Sequence, residues 1–377
     1  MVKPKNSDSK LKDSGAESGN HISEWLGHRI YPTVNLDVST FTGSKFGSCP
    51  FLTDALGQQT SCVKSENSFG VCSVSSVSNG PVQDWLVCPY RVVSSDIVGR
   101  ACRLIFGEAA TDKRPKPVTL LKIEAELSKF KRQVVEQGTG YVFFQDKLGG
   151  EISVIASPRS PEMSFDITLA EIVRSHAGFT VARYGILEVQ TMDFHGSYRR
   201  AVQNLRDALR LHGESFAESL RKNMQWSAER IEGPNIANVF KRTFYQVLLK
   251  FQLSGRGAAA GTVLAIPQSV WDSWQPFLGA PEIEQGSDGS YRLRVTDPIP
   301  ESAGSTNAHI FVFDLDSSSG TAISPVQLKM DIQVTAEQLS HHAFKVVPAG
   351  MLESLSKSDS ILARIKMRLA SSWPELS

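Results

Sequence analysis

The chain has 377 residues, 41% of them hydrophobic, with 40 Lys or Arg against 39 Asp or Glu and a formal net charge of +1. That length supports two domains or one large decorated one, and that apolar content supports a full-sized core. No stretch reaches the roughly eighteen apolar residues of a membrane span and no hydrophobic signal region is present, so the expectation is a soluble, cytoplasmic protein with no membrane partner.

Residues 1–20 are rich in Lys, Ser, Asp and Gly without periodicity and read as a flexible tail. Residues 21–115 carry all five cysteines, Cys49, Cys62, Cys72, Cys88 and Cys102, among many Ser residues and turn formers. None of the spacings is a compact Cys-x-x-Cys. Scattered buried thiols are one reading. Four thiolates around a tetrahedral metal are the other, because a segment poor in apolar periodicity needs another source of stability. Thiolate chemistry accepts zinc or iron alike.

Residues 116–340 read as the main body. Helical spacing over 123–137 ends at Gly138, and strand-like runs follow at 141–144, 152–155, 163–167 and 184–189. Helices are predicted over 198–211, 214–224 and 236–253, the last stopped by Gly255. Further strands are predicted at 261–266, 291–295, 310–315 and 328–334. In residues 341–377 a basic amphipathic helix is predicted over 358–372. The near-neutral total hides an uneven distribution: Arg199 to Arg256 holds eleven Lys or Arg against five Asp or Glu, and Pro276 to Ser319 holds two against seven. A basic segment directly after the 184–189 strand suits DNA phosphates, although solvated helix faces account for part of it.

Glu188 and Gln190 sit two apart in the otherwise apolar run around 186–189, so a strand puts both on one face and turns Leu187 and Val189 into a core. A carboxylate on such a strand must be paired, protonated or bound to a cation. Asp166 lies upstream at a strand end, and two such carboxylates offer what Mg²⁺ takes from a protein.

The pattern of Asp166, twenty-one residues and then Glu188-Val189-Gln190 resembles the PD-(D/E)xK nuclease signature, with glutamine where lysine is usual. Longer blocks are more specific: residues 185–198, 144–151, 233–235, 238–246 and 265–271 resemble the NotI-like type II restriction endonucleases. The resemblance runs from about residue 24 to about residue 315. It implies an α/β restriction-endonuclease-like core, a mixed sheet flanked by helices, with an N-terminal four-cysteine metal-binding module. It implies a catalytic set of Asp166, Glu188, Gln190 and Glu151, with Mg²⁺ on Asp166 and Glu188. It implies structural iron, with zinc as the alternative, on Cys49, Cys62, Cys72 and Cys88. The expected activity is Mg²⁺-dependent cleavage of double-stranded DNA by a homodimer at a GC-rich palindrome, GCGGCCGC, leaving 5′-phosphate ends, beside a cognate DNA methyltransferase.

Lys241, Arg242, Gln268, Asp193 and His195 are candidate DNA contacts. His195 reads equally as a helix-entry cap, Ser269 as an N-cap, and Glu151 as a turn residue paired with Lys147. Because glutamine is neutral, the site's missing positive charge must come from elsewhere, and a second Mg²⁺ near Glu151 is the expectation. A non-catalytic DNA-binding protein and a structure-specific repair or recombination nuclease are the alternative functions.

Overall fold

The computed structural model describes residues 19–41, 46–77, 81–107, 110, 114–287, 289–294, 307–316, 323–356, 361–370 and 373. Most of the predicted tail and both ends of the predicted last helix lie outside these. Strands β1 (His21–Trp25) and β2 (His28–Arg29) are joined by Leu26 and Gly27, at φ 49° and 83°. Two central residues at positive φ make the mirror-image turn whose twist matches a hairpin. After helix α1 (Pro50–Leu56), strands β3 (Val71–Ser76) and β4 (Gln83–Leu86) complete an antiparallel sheet ordered β2-β1-β3-β4.

Helices α2 (Tyr90–Val93) and α3 (Asp96–Phe106) follow. The Ser95 side chain accepts from Ile97 N and starts α3, and Ile97, Val98, Ala101, Cys102 and Ile105 form its buried stripe. The cysteine-rich segment thus holds more regular structure than its turn-rich composition suggests.

A second sheet organises the rest. In chain order come β5 (Lys116–Pro117), α4 (Glu124–Gln137), β6 (Thr139–Gln145), β7 (Ile152–Val154), β8 (Met163–Phe165), β9 (Ile167–Ser175), β10 (Gly178–Val189) and β11 (Phe194–Gly196). Helices α5 (Arg199–His212) and α6 (Phe216–Lys222), strand β12 (Ile231–Pro234), helix α7 (Ile236–Leu253), strand β13 (Ala259–Pro267) and helix α8 (Gln268–Leu278) follow. Strands β14 (Ile283–Gln285), β15 (Tyr291–Leu293), β16 (Ala308–Leu315) and β17 (Val326–Gln333) lead to α9 (Ala336–His341), α10 (Val347–Ser356) and α11 (Ile361–Ala370).

Among the described residues the large sheet has nine strands, ordered β14-β15-β17-β16-β13-β10-β9-β6-β5. It is mixed: β10, β13 and β16 run parallel, while β6, β9 and β10 alternate direction. Parallel neighbours require crossovers, and α7 and α8 supply them. The protein is therefore α/β with a large mixed sheet flanked by helices, and no helix among the described residues is long and apolar enough to cross a membrane.

The strand alternation sets two cores. Leu187, Val189, Val263 and Ala265 face α3, whereas Leu264 and Ile266 face Val239, Val247 and Phe251 of α7. A third core joins Ile22, Trp25 and Val74 of the small sheet to Leu205, Leu209 and Phe216 of α5 and its successor. The predicted 163–167 strand is interrupted at Asp166, which leaves the ladder and turns its side chain to Val189 N of β10.

Candidate active site

Strand β10 protrudes as an exposed hairpin over its first half and enters the core from Gly185. Gly185 is required there, since a Cβ would lie 2.6 Å from an Ile105 side-chain carbon. At the buried end Glu188 faces α7 and is only 5% exposed. Asp166 and Glu188 interlock through the backbone: Val189 N donates to Asp166 Oδ2 at 2.9 Å, and Asp166 N donates to Glu188 Oε1 at 3.3 Å. Each carboxylate is thereby oriented by the other's strand.

A cleft of about 300 Å³ opens over this pair, and Glu151, Gln190, Asp193 and Arg242 line it as well. Glu151 is exposed at the start of β7, and Lys147 pairs with Asp146 at 3.1 Å, a different arrangement from the Glu151–Lys147 pair considered from sequence. Arg242 donates to Asp193 across the cleft mouth at 2.9 Å, an exposed pair that contributes at most about 1 kcal/mol.

The glutamine is occupied at both ends. Thr243 Oγ1 on α7 donates to Gln190 Oε1, and Gln190 Nε2 donates to the Thr191 carbonyl. Behind it, Lys250 Nζ lies 2.6 Å from Glu188 Oε2 and 5.7 Å from the centre of the Phe165 ring. Lys250 is 2% exposed. Burial, followed by the neighbouring Asp166 charge, pushes Glu188 up to about 8, against the opposing pull of Lys250.

Of the remaining candidates, Lys241 is exposed on α7 outside the cleft lining, and Gln268 at the start of α8 donates to Asp272 at 2.7 Å. His195 lies exposed on β11 and does not cap α5. That helix is entered from Tyr198 without a side-chain cap, and Ser197 Oγ accepts from Arg199 N instead. Helix α8 begins at Gln268 after Pro267, so Ser269 is inside the helix and is not its N-cap. Sequence reasoning did not single out Tyr90, Gln145, Thr243 or Lys250. Gln145 is buried in the cleft wall with an unpartnered Oε1, an oxygen suited to water or a cation. For Lys250 a signal existed: it continues the buried α7 stripe of Val239, Thr243 and Val247, where an apolar residue is the rule.

The cysteines are all unpaired as disulfides. Cys49, Cys72 and Cys88 are buried in one core cluster, with Cys62 packed against it. The Cys72 thiol hydrogen-bonds to Cys88, which raises Cys72 and lowers Cys88. Gly27 N donates to Cys72 Sγ at 3.3 Å and Gly70 N to Cys62 Sγ at 3.4 Å. Among the described residues, no three His, Cys, Asp or Glu side chains are gathered closely enough to form a metal site as they stand. Cys102 on α3 lies in the same core cluster and is raised to about 12 by burial. No family model matches this chain, and no curated protein matches it.

Proposed function

We propose that the chain is a Mg²⁺-dependent type II site-specific deoxyribonuclease with a PD-(D/E)xK-type core. The interlocked Asp166–Glu188 pair on the floor of an open cleft carries the reading. The oxygens of the Asp166–Glu188 pair suit a hard cation, with Glu151 at the rim of the same cleft but not closed with them into a three-ligand group as the side chains stand. Mg²⁺ bound there supplies an activated water and a polarised phosphoryl oxygen.

The protein's part is to hold charge in place. Asp166 and Glu188 cannot swing away without losing backbone donors, and the Thr243–Gln190 contact ties α7 to the end of β10. Arg242 at the mouth, released from Asp193, is placed to meet a phosphate. Hydrolysis leaves a 5′-phosphate and a 3′-hydroxyl. The reading includes a homodimer, one site for each strand of a palindrome, and a DNA methyltransferase protecting the same sequence. Supercoiled plasmid carrying GCGGCCGC is expected to become linear in Mg²⁺ while plasmid lacking it stays intact. Specific binding without cutting would replace the enzyme by a DNA-binding protein, and cutting of both plasmids would replace it by a structure-specific nuclease.

In the same reading Cys49, Cys62, Cys72 and Cys88 hold a structural iron or zinc. Support comes from their shared core and from the two amide donors, which act on thiolate sulfur as outer-shell ligands do. Elemental analysis of the purified protein should find about one iron or zinc per chain, lost together with stability in Cys72→Ser. A folded protein free of both metals would remove this part of the reading.

A further inference from the structure

Among the described residues Lys250 is the only lysine in the set of largest fully buried side chains, and it pairs with the Glu188 carboxylate beneath the cleft. Its backbone is tied down as well, since Thr262 Oγ1 on β13 donates to the Lys250 carbonyl at 3.2 Å. The ammonium also stands 5.7 Å from the centre of the Phe165 ring, on the residue before Asp166.

We infer that Lys250 is a positioning residue for phosphodiester cleavage: from helix α7 it fixes the Glu188 carboxylate and supplies a positive charge that neutral Gln190 lacks. The inference rests on the nuclease reading. Three observations carry it beyond a structural ion pair. First, the rest of the α7 seam is apolar or hydroxylated, and an aliphatic side chain there would pack without desolvating a charge. Second, the cleft lining collects Asp146, Glu151, Asp166, Glu188 and Asp193, whereas the cation in that lining, Arg242, is exposed at the mouth and paired with Asp193, and Lys250 reaches Glu188 from behind the lining. Third, both ends of the Gln190 amide are engaged by Thr243 and Thr191, which leaves charge compensation to another residue. A lysine reaching the site from the neighbouring helix takes that role and leaves the strand position free for a neutral side chain.

The test uses full-length protein, cognate plasmid and three substitutions. Lys250→Gln keeps a hydrogen-bond donor for Glu188 but no charge, Lys250→Met removes both, and Lys250→Arg keeps both. Outer-shell residues of metal sites typically contribute roughly 10- to 100-fold to metal affinity or activity. Cleavage turnover is therefore expected to fall about 10- to 100-fold in the Gln and Met variants, with KM for DNA unchanged, and to survive largely in the Arg variant. Calorimetric Ca²⁺ affinity, read without turnover, should weaken about tenfold in the Gln variant. Adding Gln190→Lys to Lys250→Met should raise turnover above that of Lys250→Met alone. Thermal unfolding identifies any variant that does not fold, and the Gln variant, which keeps a polar amide on the Glu188 side of α7, remains decisive where Met fails.

Wild-type turnover and Ca²⁺ affinity in Lys250→Gln would overturn the inference while leaving the nuclease reading intact. So would the absence of any gain from Gln190→Lys. A wild-type protein that neither binds Ca²⁺ nor cuts DNA would overturn both.

Discussion

Asp166→Asn is expected to abolish cleavage while leaving the fold and Ca²⁺-supported DNA binding in place. Asparagine keeps an oxygen for the 2.9 Å bond from Val189 N, so the turn between β8 and β9 retains its anchor. What it removes is negative charge facing the cleft. In the proposed nuclease reading a catalytic cation is worth several kcal/mol of transition-state stabilisation, and each 1.36 kcal/mol is about tenfold, so a loss of more than roughly 1000-fold is expected. Plasmid cleavage at saturating Mg²⁺, beside a mobility-shift measurement in Ca²⁺, checks this. A variant that cuts at a tenth of the wild-type rate would remove Asp166 from the site.

Truncating Glu188 is a less clean experiment, and the reason is Lys250. Glu188→Leu removes the partner of an ammonium that is 2% exposed, and above about pH 8, where Glu188 is ionised, breaking the buried pair costs about 3–5 kcal/mol. Lys250→Met costs less, because a stranded carboxyl escapes by taking up a proton. Replacing both, Glu188→Leu with Lys250→Met, should return stability close to wild type, since a buried pair exchanged for apolar groups is often neutral.

The pH dependence has a defined sign. Glu188 sits at about 8 in the folded protein against an ordinary 4.5, so the folded state holds the extra proton between those values. Its contribution is fully present below about pH 4.5 and is lost as pH rises through about 8. Metal-free wild type should therefore lose stability from this group across that window, and the double variant should not. Urea denaturation at several pH values measures both effects. Equal stability for Glu188→Leu and wild type would show that the pair is not buried as described.

Much of the architecture is legible in the chain because period and punctuation are local. Helix α7 runs from residue 236 to 253 as its spacing predicts, and α4 ends at Gly138, whose φ of 77° suits a residue without a Cβ. The strand around 184–189 is legible too, as is the consequence that Glu188 and Gln190 share a face. Less local features escape. Helix α3 has a clear stripe inside a segment whose Ser and Cys content suggests turns, and its packing on β10 and β13 depends on strands far along the chain.

The candidate site divides along the same line. Strand alternation and carboxylate chemistry are properties of short stretches, and they are enough to nominate Asp166 and Glu188 as a pair needing a cation. Which cation is already present is a matter of three dimensions. Lys250 is sixty-two residues beyond Glu188, on a helix whose sequence alone shows only an odd charge in an apolar stripe. The parallel β10-α7-β13 crossover lays that helix across the strand and brings Nζ to 2.6 Å from the carboxylate. Local periodicity nominates the acids, whereas the crossover chooses their partner, because charge compensation acts through distance in space and is indifferent to separation along the chain.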